Sequence, residues 1–142
     1  MSEARAAATR ISIEVPGLTH KSPIPAASRI GNLLASGAIF GTDPATGKRG
    51  ATLAEQCAQM FANLRQVLAA AGARPEDVIR MTVWMADPSQ KQALNAEWVR
   101  LFPDAHSRPA RHTLRGALDP GVLVECDVLA VIGGASGEAA TA

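Results

Sequence analysis

The stretch "TLAEQCAQMFANLRQVLAAAG", residues 52–72, constrains the fold more than any other part of the chain. Thr52 and Glu55 stand in the T-x-x-E spacing of a capping box, where each side chain satisfies a backbone amide that the first helical turn leaves free. Leu53, Cys57, Met60, Phe61, Leu64, Val67, Leu68 and Ala71 then recur at helical spacing, and Gly72 supplies the stop. The helix therefore has one apolar stripe to bury, and a lone helix cannot bury it. The flanking segments offer a sheet as partner: "ISIEV" (11–15), "LLASGAIF" (33–40), "VIRMTVWMA" (78–86), "ARHTLRG" (110–116) and "VLVECDVLAVI" (122–132) are β-branched or alternating.

In "VIRMTVWMA" the alternation puts Ile79, Met81, Val83 and Met85 on one face and Arg80, Thr82 and Trp84 on the other. Gly37 interrupts "LLASGAIF", marking a bulge or a place where something approaches the backbone. "GTDPATG" (41–47) is turn chemistry, and "HKSPIPAASRIG" (20–31) is too rich in proline for a helix or central strand, so it reads as an ordered loop. A second helix is predicted from Ser89 to Phe102, with Ala93, Leu94, Trp98, Leu101 and Phe102 inward and Pro103 ending it. The order β-β-α-β-α-β-β predicts an α+β domain, a sheet with both helices on one face. The other face would carry Trp84, Leu129 and Val131 among polar groups, which predicts that another subunit covers it.

The chain of 142 residues fits one domain, expected over residues 11–132, with a disordered segment at 1–10 and a flexible, glycine-rich tail at 133–142. Fourteen Lys plus Arg against 13 Asp plus Glu leave no basic stripe, so neither nucleic acid nor a membrane surface is an expected partner. No apolar run approaches the ~20 residues of a membrane span and no secretory leader is apparent, so a cytoplasmic location is expected. Cys57 and Cys126 form no disulfide framework and read as buried thiols; tyrosine is absent altogether.

Chemistry concentrates in "SRPARHTL", residues 107–114, and in Glu125 and Asp127. If the last two strands form a hairpin around "LDPG" (118–121), Arg111, Thr113 and Arg115 oppose Glu125 and Asp127, with these acids about 7 Å apart on one face. One reading is a solvated cross-strand ion pair contributing ~0–1 kcal/mol. The other is that the planar guanidinium of Arg111 holds a carboxylate ligand through two parallel hydrogen bonds while Glu125 moves a proton. Arg108 reads as a rim charge. His20, His106 and His112 lack metal-ligand spacing, and neither a nucleophile elbow nor a phosphate-cradling loop occurs, so no metal is expected.

Taken together, "PIPAASRIGNLLASGAIFGTDPATG", "EQCAQMFANLRQVLAAAGA", "DVIRMTVWMAD", "LNAEW", "RPARHTL" and "VLVECDVLAV" make the chain resemble the Rid (reactive intermediate deaminase) or YjgF family. The resemblance spans about 115 residues. It implies a chorismate-mutase-like fold, a homotrimer with clefts between subunits, and cofactor-free hydrolysis of enamines and imines such as 2-aminoacrylate to 2-oxo acids and ammonia. It further implies that Arg111 binds the substrate carboxylate, that Glu125 stands near the reacting carbon, and that Ser36, Gly37, Asn95 and Thr113 line the pocket. The family's loop tyrosine is missing here; "THKSPIP" stands in its place, with His20 or Lys21 as the groups on offer. The competing expectation is a non-catalytic module binding small carboxylates in the same cleft.

Overall fold

The computed structural model describes residues 9–133. The segments expected to be loose therefore lie outside the described residues except at their inner margins. There Arg10 opens the first strand, and the Gly133 amide donates to Asp77 Oδ1 at 3.1 Å.

Seven strands build one mixed sheet: β1 (Arg10–Ile13), β2 (Ala27–Ile30), β3 (Leu33–Ser36), β4 (Ile39–Phe40), β5 (Val78–Met85), β6 (Ala110–Arg115) and β7 (Val124–Val131). Two helices cover one face, α1 (Leu53–Ala70) and α2 (Gln92–Leu101). The strand order is β1-β2-β3-β7-β5-β6, with β4 continuing beyond β3 along β7. Only the β5–β6 pair is parallel. Because β3 and β5 both run antiparallel to β7, they run parallel to each other, and α1 is their crossover. Crossover α2 then carries the chain onward from β5 to β6. Two right-handed crossovers advancing the same way across a sheet must place their helices on the same side.

The α1 stripe behaves as its spacing predicts. Cys57, Met60 and Leu64 are fully buried, against Leu34, Met81, Val83, Met85, Val124, Cys126, Val128 and Ala130 of the sheet. Both capping-box bonds form, Glu55 N to Thr52 Oγ1 and Thr52 N to Glu55 Oε1, each 3.2 Å.

Four expectations are corrected. The proline-rich segment ends at Pro25, and Ala27–Ile30 is a strand paired on both sides, turning into β3 through Gly31 (φ 57°) and Asn32. A glycine opening a two-residue loop is what a tight hairpin requires. Ile79 is solvent-exposed rather than inward, because a bulge between Val78 and Arg80 shifts the register against β7. The second helix starts at Gln92 instead of Ser89, since Asp87 caps a separate turn through its Oδ1 bonds from the Ser89 amide and hydroxyl. Finally, β6 and β7 form no hairpin: β5 lies between them, pairing with each.

The uncovered sheet face is apolar at its centre, where Ile30, Leu33, Leu129 and Val131 are 45, 52, 38 and 37% exposed. Among the described residues no helix is long and apolar enough to cross a membrane.

Candidate active site

Arg111 lies on β6, the edge strand, opposite fully buried Met81, and so projects to the helix-covered side. Its guanidinium carbon sits 4.9 Å from the Trp98 ring centroid, and its Nη2 donates to Asn95 Oδ1 at 2.8 Å. Both partners come from α2, three residues apart, hence on one face of that helix. Trp98 is itself fixed edge-on against Phe102 at 4.8 Å. Nη1 is buried and has no hydrogen-bond partner. No carboxylate pairs with Arg111 among the described residues, and burial draws its pKa below the usual arginine value. The result is a packed, partly desolvated fork of donors with its buried Nη1 unpartnered, suited to a planar anion. Thr113 stands two residues further along the same strand face.

Arg108 is more than a rim charge. Its Nε donates to the Phe102 carbonyl at 2.8 Å and Nη2 reaches the Pro103 carbonyl at 3.4 Å, tying the approach to β6 onto the C-terminal end of α2. Pro109 follows, and Arg111 enters the strand from a fixed direction.

A second cluster forms where β3 passes into β4. From Ala35 to Ile39 the chain advances four residues while its partner positions on β7 move three, Leu129 to Cys126, so one extra residue is inserted. This is the bulge that Gly37 foreshadowed. Ser36 Oγ pins it, accepting from the Val128 amide and donating to the Gly37 carbonyl, both at 2.9 Å. Gly37 has an ordinary φ, and a Cβ there would meet only van der Waals contacts, His20 Nε2 at 3.7 Å among them. The fold of the chain alone thus gives no steric reason for glycine at 37. His20 packs edge-on to Phe40, ring centroids 6.3 Å apart, and Phe40 pairs directly with Glu125.

Glu125 is on the uncovered face with Trp84 and Asp127. Burial raises its pKa first, and the charges of Asp119 and then Asp127 push it the same way. Beside the bulge a cavity of about 490 Å³ opens between residues 17–24, β4, α1 and the loops carrying Arg49 and Asp119; Thr19, His20, Lys21 and Ser22 line it.

The structure therefore assembles the expected residues into two groups, Arg111 with Asn95 and Thr113, and Ser36 with Gly37, His20 and, through Phe40, Glu125. It does not bring the two together in one chain. The expected reach from Arg111 to Glu125 or Asp127 is corrected: β5 intervenes, and Arg111, level with Met81 and Val128, faces the opposite side from Glu125, which is level with Trp84. No cluster of three or more metal-ligating side chains occurs among the described residues.

Two site-supporting residues escaped the sequence reading. Gln56, buried on α1, donates to the Gly50 and Gly121 carbonyls and accepts from the Leu123 amide, each at 2.9 Å. Asn63, one heptad on, donates to the Phe40 and Thr42 carbonyls at 2.7 and 2.8 Å. The signal was a polar residue recurring seven positions apart along the apolar stripe.

The sequence pattern of the family described as Endoribonuclease L-PSP matches residues 22–132. A RutC family protein of Aquifex aeolicus is 32% identical over 120 residues, spanning 80% of this chain and 95% of the relative. The 2-iminobutanoate/2-iminopropanoate deaminase of Escherichia coli K12 is 28% identical over 104 residues, spanning 72% and 81%. Among solved structures, RidA from an Antarctic Psychrobacter superposes with a TM-score of 0.79 at 26% identity, covering 86% of this chain and 99% of that one. A Rid family protein of Yersinia pestis gives 0.80 at 24% identity over 87% of this chain and all of the other, a likeness of fold.

Proposed function

The chain belongs to the endoribonuclease L-PSP family, which includes proteins named Rid, and on that footing we propose that it hydrolyses enamine and imine forms of 2-amino acids. The products are a 2-oxo acid and ammonia. One observation carries this reading: a guanidinium held by Trp98 and Asn95 with a buried, unpartnered Nη1. Leaving a buried donor unsatisfied costs about 1–3 kcal/mol, a cost offset when a carboxylate binds.

The cleft would form between copies in a homotrimer, with Arg111 of one protomer facing Glu125 of its neighbour. Support comes from the apolar uncovered face and from the placement of these two residues on opposite faces of one sheet. The cytoplasm is the proposed setting, in keeping with two buried free thiols and no disulfide among the described residues.

In the proposed reaction Arg111 holds the carboxylate. The protonated Glu125 carboxyl, directly or through a water, gives its proton to the enamine carbon, converting C=C–NH2 into C=N⁺. Water adds to the C=N carbon and returns one proton to the Glu125 carboxylate; the remaining hydroxyl proton passes to nitrogen as the C=O bond forms and the C–N bond breaks, releasing ammonia. No cofactor enters this scheme.

The test couples an amino-acid oxidase to the protein and follows loss of the imine by semicarbazide trapping. Arg111→Ala should lose about 2–5 kcal/mol of transition-state stabilisation. Arg111→Lys should not restore it, since a point charge lacks the two-pronged geometry. No acceleration with imines from several amino acids would refute the proposal, and would favour a carboxylate-binding module.

A further inference from the structure

The cavity beside the bulge has features that a three-carbon imino acid does not use. Such a substrate has roughly six non-hydrogen atoms, while a volume of about 490 Å³ lies in the range of drug-sized ligands. Its charged lining is Lys21, Arg49 and a single carboxylate, Asp119. The ion pairs among the described residues, Arg74–Asp77 and Arg100–Glu97, lie elsewhere, so neither Lys21 nor Arg49 is in an ion pair with a described carboxylate.

The fold restrains the backbone beside Lys21 and places the Arg49 side chain. Lys21 belongs to a segment in which Pro23 and Pro25 restrict the backbone, lowering the entropy lost when a ligand orders it. Arg49 forms an isolated bridge with Thr42, and its guanidinium lies over the turn at Gly121, where an added Cβ would come within 3.7 Å of Nη1. Gln56 anchors that turn from below.

We propose that Lys21 and Arg49 form a subsite for a second anionic group, so that the preferred substrates are imines of dicarboxylic amino acids. The inference rests on the proposed deaminase reading, in which Arg111 of one protomer takes the α-carboxylate at the cleft with its neighbour; here the side-chain carboxylate enters the neighbour's cavity between Lys21 and Arg49. The apolar wall of Leu18, Ile39 and Phe40 packs against the intervening methylenes.

Calorimetry with two stable product acids, 2-oxobutanoate and 2-oxoglutarate, tests this independently of turnover. Wild-type protein should bind 2-oxoglutarate at least about tenfold more tightly. In Lys21→Ala/Arg49→Ala that ratio should fall to about one. Both residues are solvent-exposed, and an unchanged melting temperature verifies the fold of the variant. Arg111→Ala should weaken both acids. Equal affinities in the wild type, no measurable binding of 2-oxoglutarate, or a ratio that survives the double substitution would each overturn the proposal. Hydrolysis of alanine-derived imine without a dicarboxylate preference would overturn it while leaving the deaminase reading intact. A dicarboxylate preference lost in the double variant, with no imine turnover, would uphold the subsite and refute the deaminase reading.

Discussion

Replacing Gln56 by alanine should destabilise the chain by about 3–5 kcal/mol, and the structure allows that figure to be worked out. The side chain is 1% exposed and makes three hydrogen bonds to backbone, two as donor and one as acceptor. Two of the three reach residues 65 and 67 positions away, so they close the turn at 119–122 onto α1. If water re-enters, each lost bond costs about 0.5–1.5 kcal/mol; if the site stays dry, each orphaned group costs about 1–3 kcal/mol. Three bonds at intermediate values, plus the space left by the amide, give the range stated. Urea unfolding measures it, with the m-value reporting whether the folded state has loosened. Gln56→Glu is the sharper control. It keeps an acceptor for the Leu123 amide but sets a carboxylate against two carbonyls, so its folded-state pKa must rise and its stability must improve as pH falls. A loss below about 1 kcal/mol in Gln56→Ala, the value of a single exposed bond, would refute the idea that this amide holds the turn.

Glu125 and the cysteines supply the remaining predictions. Since the Glu125 pKa is raised in the folded chain, the folded state keeps a proton that the unfolded state gives up near pH 4.3. Stability therefore falls as pH rises from there through the raised value, and Glu125→Gln should remove that part of the slope; urea midpoints of the two proteins diverging in the opposite direction would refute it. Imine turnover should also decline above the raised pKa, and be slow without that limb in Glu125→Gln. Burial, aided by Glu97, pushes the Cys57 thiol up to about 11, and burial pushes Cys126 higher still. Neither should react with a disulfide reagent at pH 8 until the urea transition, and native-state labelling within minutes would contradict the buried placement.

Much of this was legible because local chemistry determined it. The α1 cap, its apolar stripe and the inward set Met81, Val83 and Met85 follow from residues that are neighbours in sequence. The bulge at Gly37 was legible for the same reason. What misled was local chemistry overruled at long range. "LDPG" has the composition of a hairpin turn, and Val122 N does donate to Asp119 O. Yet the strands that flank it are separated by β5, because α2 delivers β6 to the outer side of β5 as a parallel neighbour. Alternation reports a residue's face within its own strand and is silent on which strand lies alongside. The prolines at 23 and 25 hid the hairpin signal of Gly31–Asn32, though that signal was present between Ile30 and Leu33.

The register of β7 also bears on whether the proposed site catalyses or merely binds. A pocket evolved only to hold an anion gains nothing from a carboxylate facing it, and three close together repel the ligand. Here Asp127 shares the uncovered face with Glu125, and Asp119 comes near it from the preceding loop. Both act on Glu125 in the same sense as its burial, toward the protonated form. A carboxyl with a raised pKa is protonated more readily, and in that form it no longer repels the ligand and becomes a donor, which protonation of an enamine carbon needs at that place. Asp119 and Asp127 would thus serve Glu125 rather than the ligand. Asp127→Asn should accordingly move the descending limb of the imine-hydrolysis pH profile to lower pH while leaving α-carboxylate binding through Arg111 in place. A limb that does not move would mean that Asp127 only decorates the face.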